Sequence, residues 1–171
     1  MSRKPETPEF LPREEKFRKI RWMADYQFGR GAGKVLFPDT CKFIVSPKTG
    51  RIRQITDKGI RIATLKASSG WFSLSIEGAK RIKDFFEYPR NRVVVTNEVS
   101  EFIADGKNVF AKHVVDVDEN LRAGDEVVVV DEDDNLLATG KAVLCASEMM
   151  LFNRGIAVNV RAGVKKYLDQ V

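Results

Sequence analysis

The sequence contains few residues of the kinds that build metal sites and disulfide frameworks. It has two cysteines, Cys41 and Cys145, and a single histidine, His113, among 171 residues. The cysteines stand far apart and outside any CxxC pair, which argues against zinc and predicts two reduced, buried thiols. So few nucleophiles and bases also disfavour nucleophilic catalysis, and we expect neither a metal nor a cofactor.

Long apolar runs are missing as well. No stretch approaches the roughly 18 consecutive apolar residues that a membrane span needs. The first ten residues lack the apolar core of a signal peptide. The sequence therefore predicts a cytoplasmic protein with no membrane partner. Its 43% hydrophobic and 31% charged residues suit an ordinary globular core, in one domain or two small ones.

Charge is divided unevenly along the chain. Residues 1–92 contain 21 Lys+Arg and 10 Asp+Glu, a net charge of +11, whereas residues 93–171 contain 8 and 14, a net charge of −6. Such asymmetry predicts two modules and a basic surface directed at a polyanion such as RNA. The alternative is a solvated surface whose charge happens to be uneven.

The first half of the sequence has the pattern of a small α+β module. Helices are predicted at residues 13–26 and 76–86 from the spacing of their apolar residues, with Phe85 facing inward. Residues 40–76 between them read as short antiparallel strands separated by turns. Five basic residues along these strands could form a stripe: Arg51, Arg53, Lys58, Arg61 and Lys66.

Two aromatic residues of the first predicted helix, Trp22 and Tyr26, lie four residues apart and off its apolar stripe. Packing on a neighbouring element and stacking on nucleobases are both open for them. Pro89 cannot continue the second helix and restricts the residue before it. We therefore divide the chain into a first module, residues 1–90, and a second, residues 91–171.

A glycine-rich segment, residues 29–34, invites comparison with the phosphate-binding loop of nucleotide-binding proteins. Phe28 stands where that loop needs its first glycine, and Val35 where it needs Ser or Thr, so nucleotide binding is disfavoured. The backbone of such a segment can still approach an RNA phosphate closely, with Arg30 and Lys34 supplying charge. A turn that lets two elements pack together is the alternative.

The second half reads as short strands with turns between them, and its regularly spaced glycines suit a small closed or half-open β-barrel. Residues 127–130 are four valines, which predicts a strand buried on both faces. The following residues, 131–135, are too polar to bury and predict a turn. A calcium loop is excluded there, because Leu136 and Ala142 replace its required glycine and glutamate. A short helix that ends near residue 104 is predicted before these strands, with Phe102 inward.

Four fragments of the second half occur in a familiar order: GKNVFAKHV, RAGDEVVVVDE, LATGKA and RGIAVNVR. Together they resemble the PUA domain, a small RNA-binding pseudo-barrel, in the version appended to archaeal archaeosine tRNA-guanine transglycosylases. Residues 24–38 resemble the module that precedes it there. The resemblance implies an α+β fold, with a mixed pre-PUA module followed by a PUA β-pseudobarrel. Those enzymes place catalysis in a separate barrel of about 250 residues, so we expect this chain to be non-catalytic.

The resemblance also implies a set of RNA-binding residues on two stretches. A small residue lets the backbone reach a phosphate, Lys and Arg supply charge, and Phe or His can stack on an unpaired base. Three alternatives stay open: Phe110 in the core, His113 in an ordinary hydrogen bond, and Arg161 as a cap of its strand. The candidates are Gly106, Lys107, Phe110, Ala111, Lys112 and His113 on the first stretch, and Arg154, Gly155 and Arg161 on the second.

Structured RNA is the expected partner, with tRNA near its acceptor stem and 3′ end as the first candidate. In this interpretation the chain assists a separate tRNA-modifying enzyme. A ribosome-assembly factor is the alternative within RNA binding. A protein-interaction adaptor that uses its acidic surface is the alternative outside RNA binding.

Overall fold

The computed structural model describes residues 11–168, which divide into two compact units between Ser73 and Leu74. The first unit combines two helices with a four-stranded sheet of strand order β1-β2-β3-β4, in which β1 and β3 both run antiparallel to β2. Its elements are α1 (Arg13–Phe28), α2 (Ala32–Leu36), β1 (Cys41–Val45), β2 (Ile52–Asp57), β3 (Ile60–Leu65) and β4 (Phe72–Leu74). The last residue of β4, Leu74, is the first residue of the second unit.

The core of the first unit forms where α1 meets the sheet and α2. Buried residues recur along α1 at helical spacing, from Phe17 to Phe28, as the sequence pattern predicts. The Phe17 ring meets that of Phe43 on β1 edge to face at 4.9 Å, and the rings of Phe37 and Phe72 lie 5.2 Å apart. These contacts fix the two helices against the strands.

The second unit contains a six-stranded sheet of order β6-β10-β9-β8-β5-β7, in which only the β5–β8 pair of the described strands is parallel. The edge strands β6 and β7 are consecutive in the chain, and a single 3₁₀ turn joins them. The sheet is therefore nearly closed, and the predicted α+β fold with a pseudobarrel is confirmed. The elements are α3 (Ile76–Phe85), β5 (Arg92–Val95), a 3₁₀ turn (Asn97–Val99), α4 (Ser100–Ala104), β6 (Val109–Phe110), the joining 3₁₀ turn (Ala111–His113), β7 (Val114–Val117), β8 (Glu126–Val130), β9 (Leu136–Ala142), α5 (Ala146–Leu151), β10 (Ile156–Gly163) and α6 (Val164–Leu168).

Strand β8 is buried on both faces, as its valine run predicts. Val127 and Val129 belong to the core cluster of the barrel, whereas Val128 and Val130 are buried outside that cluster. Helix α3 packs against β8 and β9. This packing explains why the second compact unit begins before α3, while the module boundary at residue 90 stays a prediction about the sequence.

Two inward-facing predictions are wrong: Phe85 and Phe102 are both exposed. Phe85 is the last residue of α3 and lies at the surface, whereas the neighbouring Phe86 is buried. Phe102 follows a 3₁₀ turn, whose three residues per turn shift the angular position of everything after it. The next residue, Ile103, is buried.

No helix within residues 11–168 is long and apolar enough to cross a membrane.

Candidate nucleic-acid interface

The first candidate stretch begins at a turn that requires glycine. Helix α4 ends in a Schellman motif, in which the Gly106 N–H donates to the Ile103 carbonyl at 2.9 Å and the Lys107 N–H to the Phe102 carbonyl at 3.0 Å. Gly106 has a φ of +99°, a conformation that side chains disfavour. The turn directs the chain into β6 and leaves the Lys107 side chain exposed.

The structure brings most of the two candidate stretches together. Phe110 pairs with Ile156 across β6 and β10, and the Ala111 N–H donates to the Gly155 carbonyl at 2.9 Å. Lys112 and Arg154, which flank this hydrogen bond in sequence, are both exposed. We call the region formed by these two segments the loop surface. Its residues are Gly106, Lys107, Phe110, Ala111, Lys112, His113, Arg154 and Gly155, of which Lys107, Phe110, Lys112, Arg154 and Gly155 are exposed.

Individual residues of the loop surface differ in what they offer a ligand. The Phe110 ring is 45% exposed, so it is not a core residue and can meet an unpaired base. Ala111 is buried and contributes its backbone, which holds the two segments together. His113 is half-buried, and its carbonyl accepts a hydrogen bond from the Thr96 N–H at 3.0 Å. The RNA contacts of these residues stay predictions.

Arg161 is held within the second unit. Its Nη2 donates to Glu126 Oε1 at 2.8 Å and to the Leu74 carbonyl at 2.6 Å. Val160 pairs with Gly140 and Ala162 with Thr139, which leaves Arg161 as the extra residue of a β-bulge in β10. This placement favours the structural alternative for Arg161 over RNA contact.

The glycine-rich segment of the first unit has a packing role. A Cβ atom on Gly33 would overlap the backbone of Arg21, so only glycine lets α2 approach α1 this closely. The Gly33 N–H also donates to Asp25 Oδ1 at 2.7 Å. Arg30 and Lys34 remain exposed, and their contact with RNA stays a prediction.

The acidic turn of the second unit uses its carboxylates internally. Asp131 Oδ1 accepts hydrogen bonds from the N–H groups of Asp133 and Asn135, both at 2.9 Å. Asp134 binds the buried Arg92 guanidinium through both carboxylate oxygens, at 2.7 and 3.1 Å. The predicted structural role of this turn is confirmed. Within residues 11–168, no three His, Cys, Asp or Glu side chains cluster as metal ligands.

Sequence reasoning missed a row of exposed aromatic rings on the first unit. The Trp22 and Tyr26 rings stack at a centroid distance of 6.0 Å, and Tyr26 stacks on Trp71 at 5.9 Å. Their exposed fractions are 68%, 73% and 45%. The spacing of Trp22 and Tyr26 signals their proximity, but no local pattern predicts the arrival of Trp71. We call these three residues the aromatic row.

A groove of about 630 Å³ lies on the same unit, and we call it the basic groove. None of its described lining residues is acidic. Three residues of the predicted basic stripe, Arg51, Arg53 and Lys66, line this groove. The other two, Lys58 and Arg61, do not. Its basic lining residues are Lys16, Lys19, Lys48, Arg51, Arg53 and Lys66.

Comparison with known families assigns both halves of the chain. Residues 91–164 match the PUA domain, so the chain is a PUA-domain protein. Residues 18–89 match the patch-forming domain C2 of tRNA-guanine transglycosylase. The chain therefore carries the C2 and PUA domain pair of the C-terminal region of archaeal tRNA-guanine transglycosylases.

Curated relatives agree with this assignment. The chain is 50% identical over 145 residues to the tRNA-guanine(15) transglycosylases of Methanothermobacter thermautotrophicus and of Thermococcus kodakarensis. The alignments cover 85% and 84% of this chain but 22% and 24% of those relatives. The chain thus spans about a quarter of their length.

Solved structures share the fold. A hypothetical protein from Pyrococcus horikoshii has a TM-score of 0.65 at 22% identity, over 93% of this chain and 96% of that one. A PUA domain from Aeropyrum pernix has a TM-score of 0.64 at 18% identity, over 94% and 87%. At these identities the likeness concerns the fold alone.

Proposed function

We propose that this chain binds tRNA near its acceptor stem and 3′ end, as the non-catalytic RNA-binding part of a tRNA-modification system. The proposal rests on the pair of C2 and PUA domains, whose sequence is about 50% identical to the matching region of tRNA-guanine(15) transglycosylases. The aligned region is a minor part of those relatives, so catalysis is assigned to the remaining part or to another chain.

The geometry of the loop surface supports RNA as the ligand. Lys107, Lys112 and Arg154 are exposed cations on two segments whose backbones are hydrogen-bonded together. Each phosphate contact made by such a cation releases counterions, which favours binding at low salt. The exposed Phe110 ring adds a stacking surface for an unpaired base.

The test is a filter-binding titration with three RNAs: a full tRNA transcript, the same transcript without its single-stranded 3′ end, and a ribosomal RNA fragment of similar length. We expect the full tRNA to bind best, and removal of the 3′ end to weaken binding. Equal affinity for all three would remove the tRNA assignment and leave general RNA binding.

Sequencing of RNA cross-linked to the protein in its native cell separates the two alternatives. Enrichment of ribosomal RNA would favour an assembly factor. An absence of RNA above background, together with protein binding that survives nuclease, would favour the adaptor and overturn the proposal.

A further inference from the structure

We propose that the first unit carries a second RNA site, in which the aromatic row stacks on unpaired bases while the basic groove holds the phosphates of the same strand. The proposal deepens the proposed RNA binding and rests on it, but its residues belong to the first unit alone. The ligand it assigns is single-stranded RNA of any sequence.

The aromatic row is a surface of unusual composition. Large exposed apolar patches on a protein surface commonly mark interaction sites. The Tyr26 ring is inclined by 16° to the Trp22 ring and by 19° to the Trp71 ring, so each tryptophan plane is nearly parallel to the tyrosine plane. Trp22 and Trp71 each stack on Tyr26 and are 68% and 45% exposed, so both keep ring surface that a base can contact. Nearly parallel aromatic planes are what successive nucleobases require for stacking.

The two segments that carry the row are hydrogen-bonded to each other. The Gln27 side-chain amide donates to the Phe72 carbonyl at 2.9 Å, and its oxygen accepts from the Phe72 N–H at 2.8 Å. Gln27 follows Tyr26 on α1, and Phe72, the first residue of β4, directly follows Trp71. This pair of hydrogen bonds holds the backbone next to Trp71 against α1, which brings Trp71 close to Tyr26 and reduces the ordering that a ligand must impose.

The basic groove adjoins the row. Lys19 and Met23 line the groove from α1, and Trp22 and Tyr26 each lie three residues after one of them on the neighbouring helix surface. The groove is also lined by Gly70, which directly precedes Trp71. A strand that follows the groove with its phosphates can thus reach the rings with its bases.

Charge and shape together select the ligand class. Residues 11–73 contain 14 Lys+Arg and 5 Asp+Glu, a net charge of +9. An acidic peptide would satisfy the cations but would leave the flat faces of the aromatic rings without matching planar groups. Duplex RNA would satisfy the cations as well, but its bases are stacked in the helix interior. Unpaired RNA is the polyanion that uses both features.

The experiment is a fluorescence titration of the full chain with a short oligoadenylate. Both tryptophans of the sequence lie in the aromatic row, so tryptophan quenching reports this site alone. We expect quenching on binding, and roughly tenfold weaker binding in Tyr26→Ala or in Lys19→Ala combined with Arg53→Ala. Tyr26→Phe keeps the ring and is expected to bind like the wild type, which separates stacking from misfolding.

Matched controls lie outside the proposed site. Lys42 is an exposed cation of the first unit that does not line the groove, and Phe85 is an exposed aromatic residue of the second unit. Lys42→Ala and Phe85→Ala are expected to leave the titration unchanged. In variants of Lys112 and Arg154, oligoadenylate is expected to quench the tryptophan fluorescence as in the wild type, because these residues belong to the loop surface and not to this site.

Three outcomes would overturn the inference: no quenching by oligoadenylate, equal affinity in Tyr26→Ala, or equally tight binding of an oligoaspartate of the same charge. The last outcome would indicate an acidic protein partner. If the Lys112 and Arg154 variants lose tRNA binding while Tyr26→Ala binds oligoadenylate normally, the proposed function stands and this second site falls.

Discussion

Arg161 and Glu126 form an ion pair, with Nη2 of the first 2.8 Å from Oε1 of the second. Glu126 is buried, and its other oxygen accepts the Leu74 N–H at 3.0 Å. The pair thus connects β10 with β8 and with the segment that leads into α3. The family resemblance predicts that Arg161 contacts RNA, whereas in the structure its guanidinium joins these elements of the second unit.

Arg161→Ala is expected to destabilise the second unit by about 1–3 kcal/mol, because it removes the ion pair and hydrogen bond that Arg161 gives to a buried carboxylate. Arg161→Lys should recover part of the loss. Denaturant unfolding measures the change, with the exposed Arg122→Ala as the control. Unchanged stability together with weakened RNA binding would return Arg161 to the set of RNA contacts.

Lys112→Ala and Arg154→Ala are each expected to weaken tRNA binding by roughly 1–2 kcal/mol, the scale of a charge-assisted contact. Each should also reduce the slope of log affinity against log salt by about one. Filter binding at several salt concentrations measures both effects. Lys80 is an exposed cation on α3, and Lys80→Ala is the matched control. If Lys112→Ala and Arg154→Ala both bind tRNA as well as this control does, the binding site lies elsewhere.

Gly106→Val is expected to cost about 1–3 kcal/mol of stability, since a β-branched residue strongly disfavours a φ of +99°. The Schellman turn should open and displace Lys107, so RNA binding should fall as well. Thermal unfolding and filter binding of the same preparation test the two effects. A variant with native melting temperature and native affinity would show that the glycine only spaces the turn.

Tyr88 gives the second unit a pH dependence at high pH. Burial, and then the hydrogen bond from its hydroxyl to Asp116 Oδ2 at 2.7 Å, raise the pKa of Tyr88 from 10.0 to about 12. The folded protein therefore holds this proton more tightly than the unfolded chain does. The resulting stabilisation is complete below pH 10 and is lost as the pH rises from about 10 to 12.

A phenolate absorbance titration tests this prediction. The wild type is expected to show one phenol that titrates near pH 12, and Tyr88→Phe should lack that step. If the titration curves of the wild type and of Tyr88→Phe differ only around pH 10, the pKa of Tyr88 is not raised.

The sequence predicted the parts of the fold that local patterns specify. The valine run at 127–130 identified a strand buried on both faces, and the composition of 131–135 identified its turn. Helix α1 followed from the spacing of its apolar residues. In each case the physical cause, burial or its absence, acts on residues that are neighbours in sequence.

The remaining features depend on contacts between distant residues. Trp71 reaches Tyr26 only because the sheet places it there, and Glu126 on β8 meets Arg161 on β10 although β9 lies between these strands. No periodicity in the sequence reports such pairs. The exposure of Phe102 was missed for a different reason, because 3₁₀ and α-helical turns have similar sequence patterns but different angular spacing.

The bulge at Arg161 fixes how many residues β10 contains. Side chains alternate between faces on either side of the bulge, and the extra residue resets that alternation before Ala162. A deletion or insertion of one residue in this strand would turn one of its ends to the wrong face. Length changes are better tolerated in exposed turns such as residues 67–70. Alignments of related chains can therefore be anchored on β10 without gaps, and gaps belong in the turns.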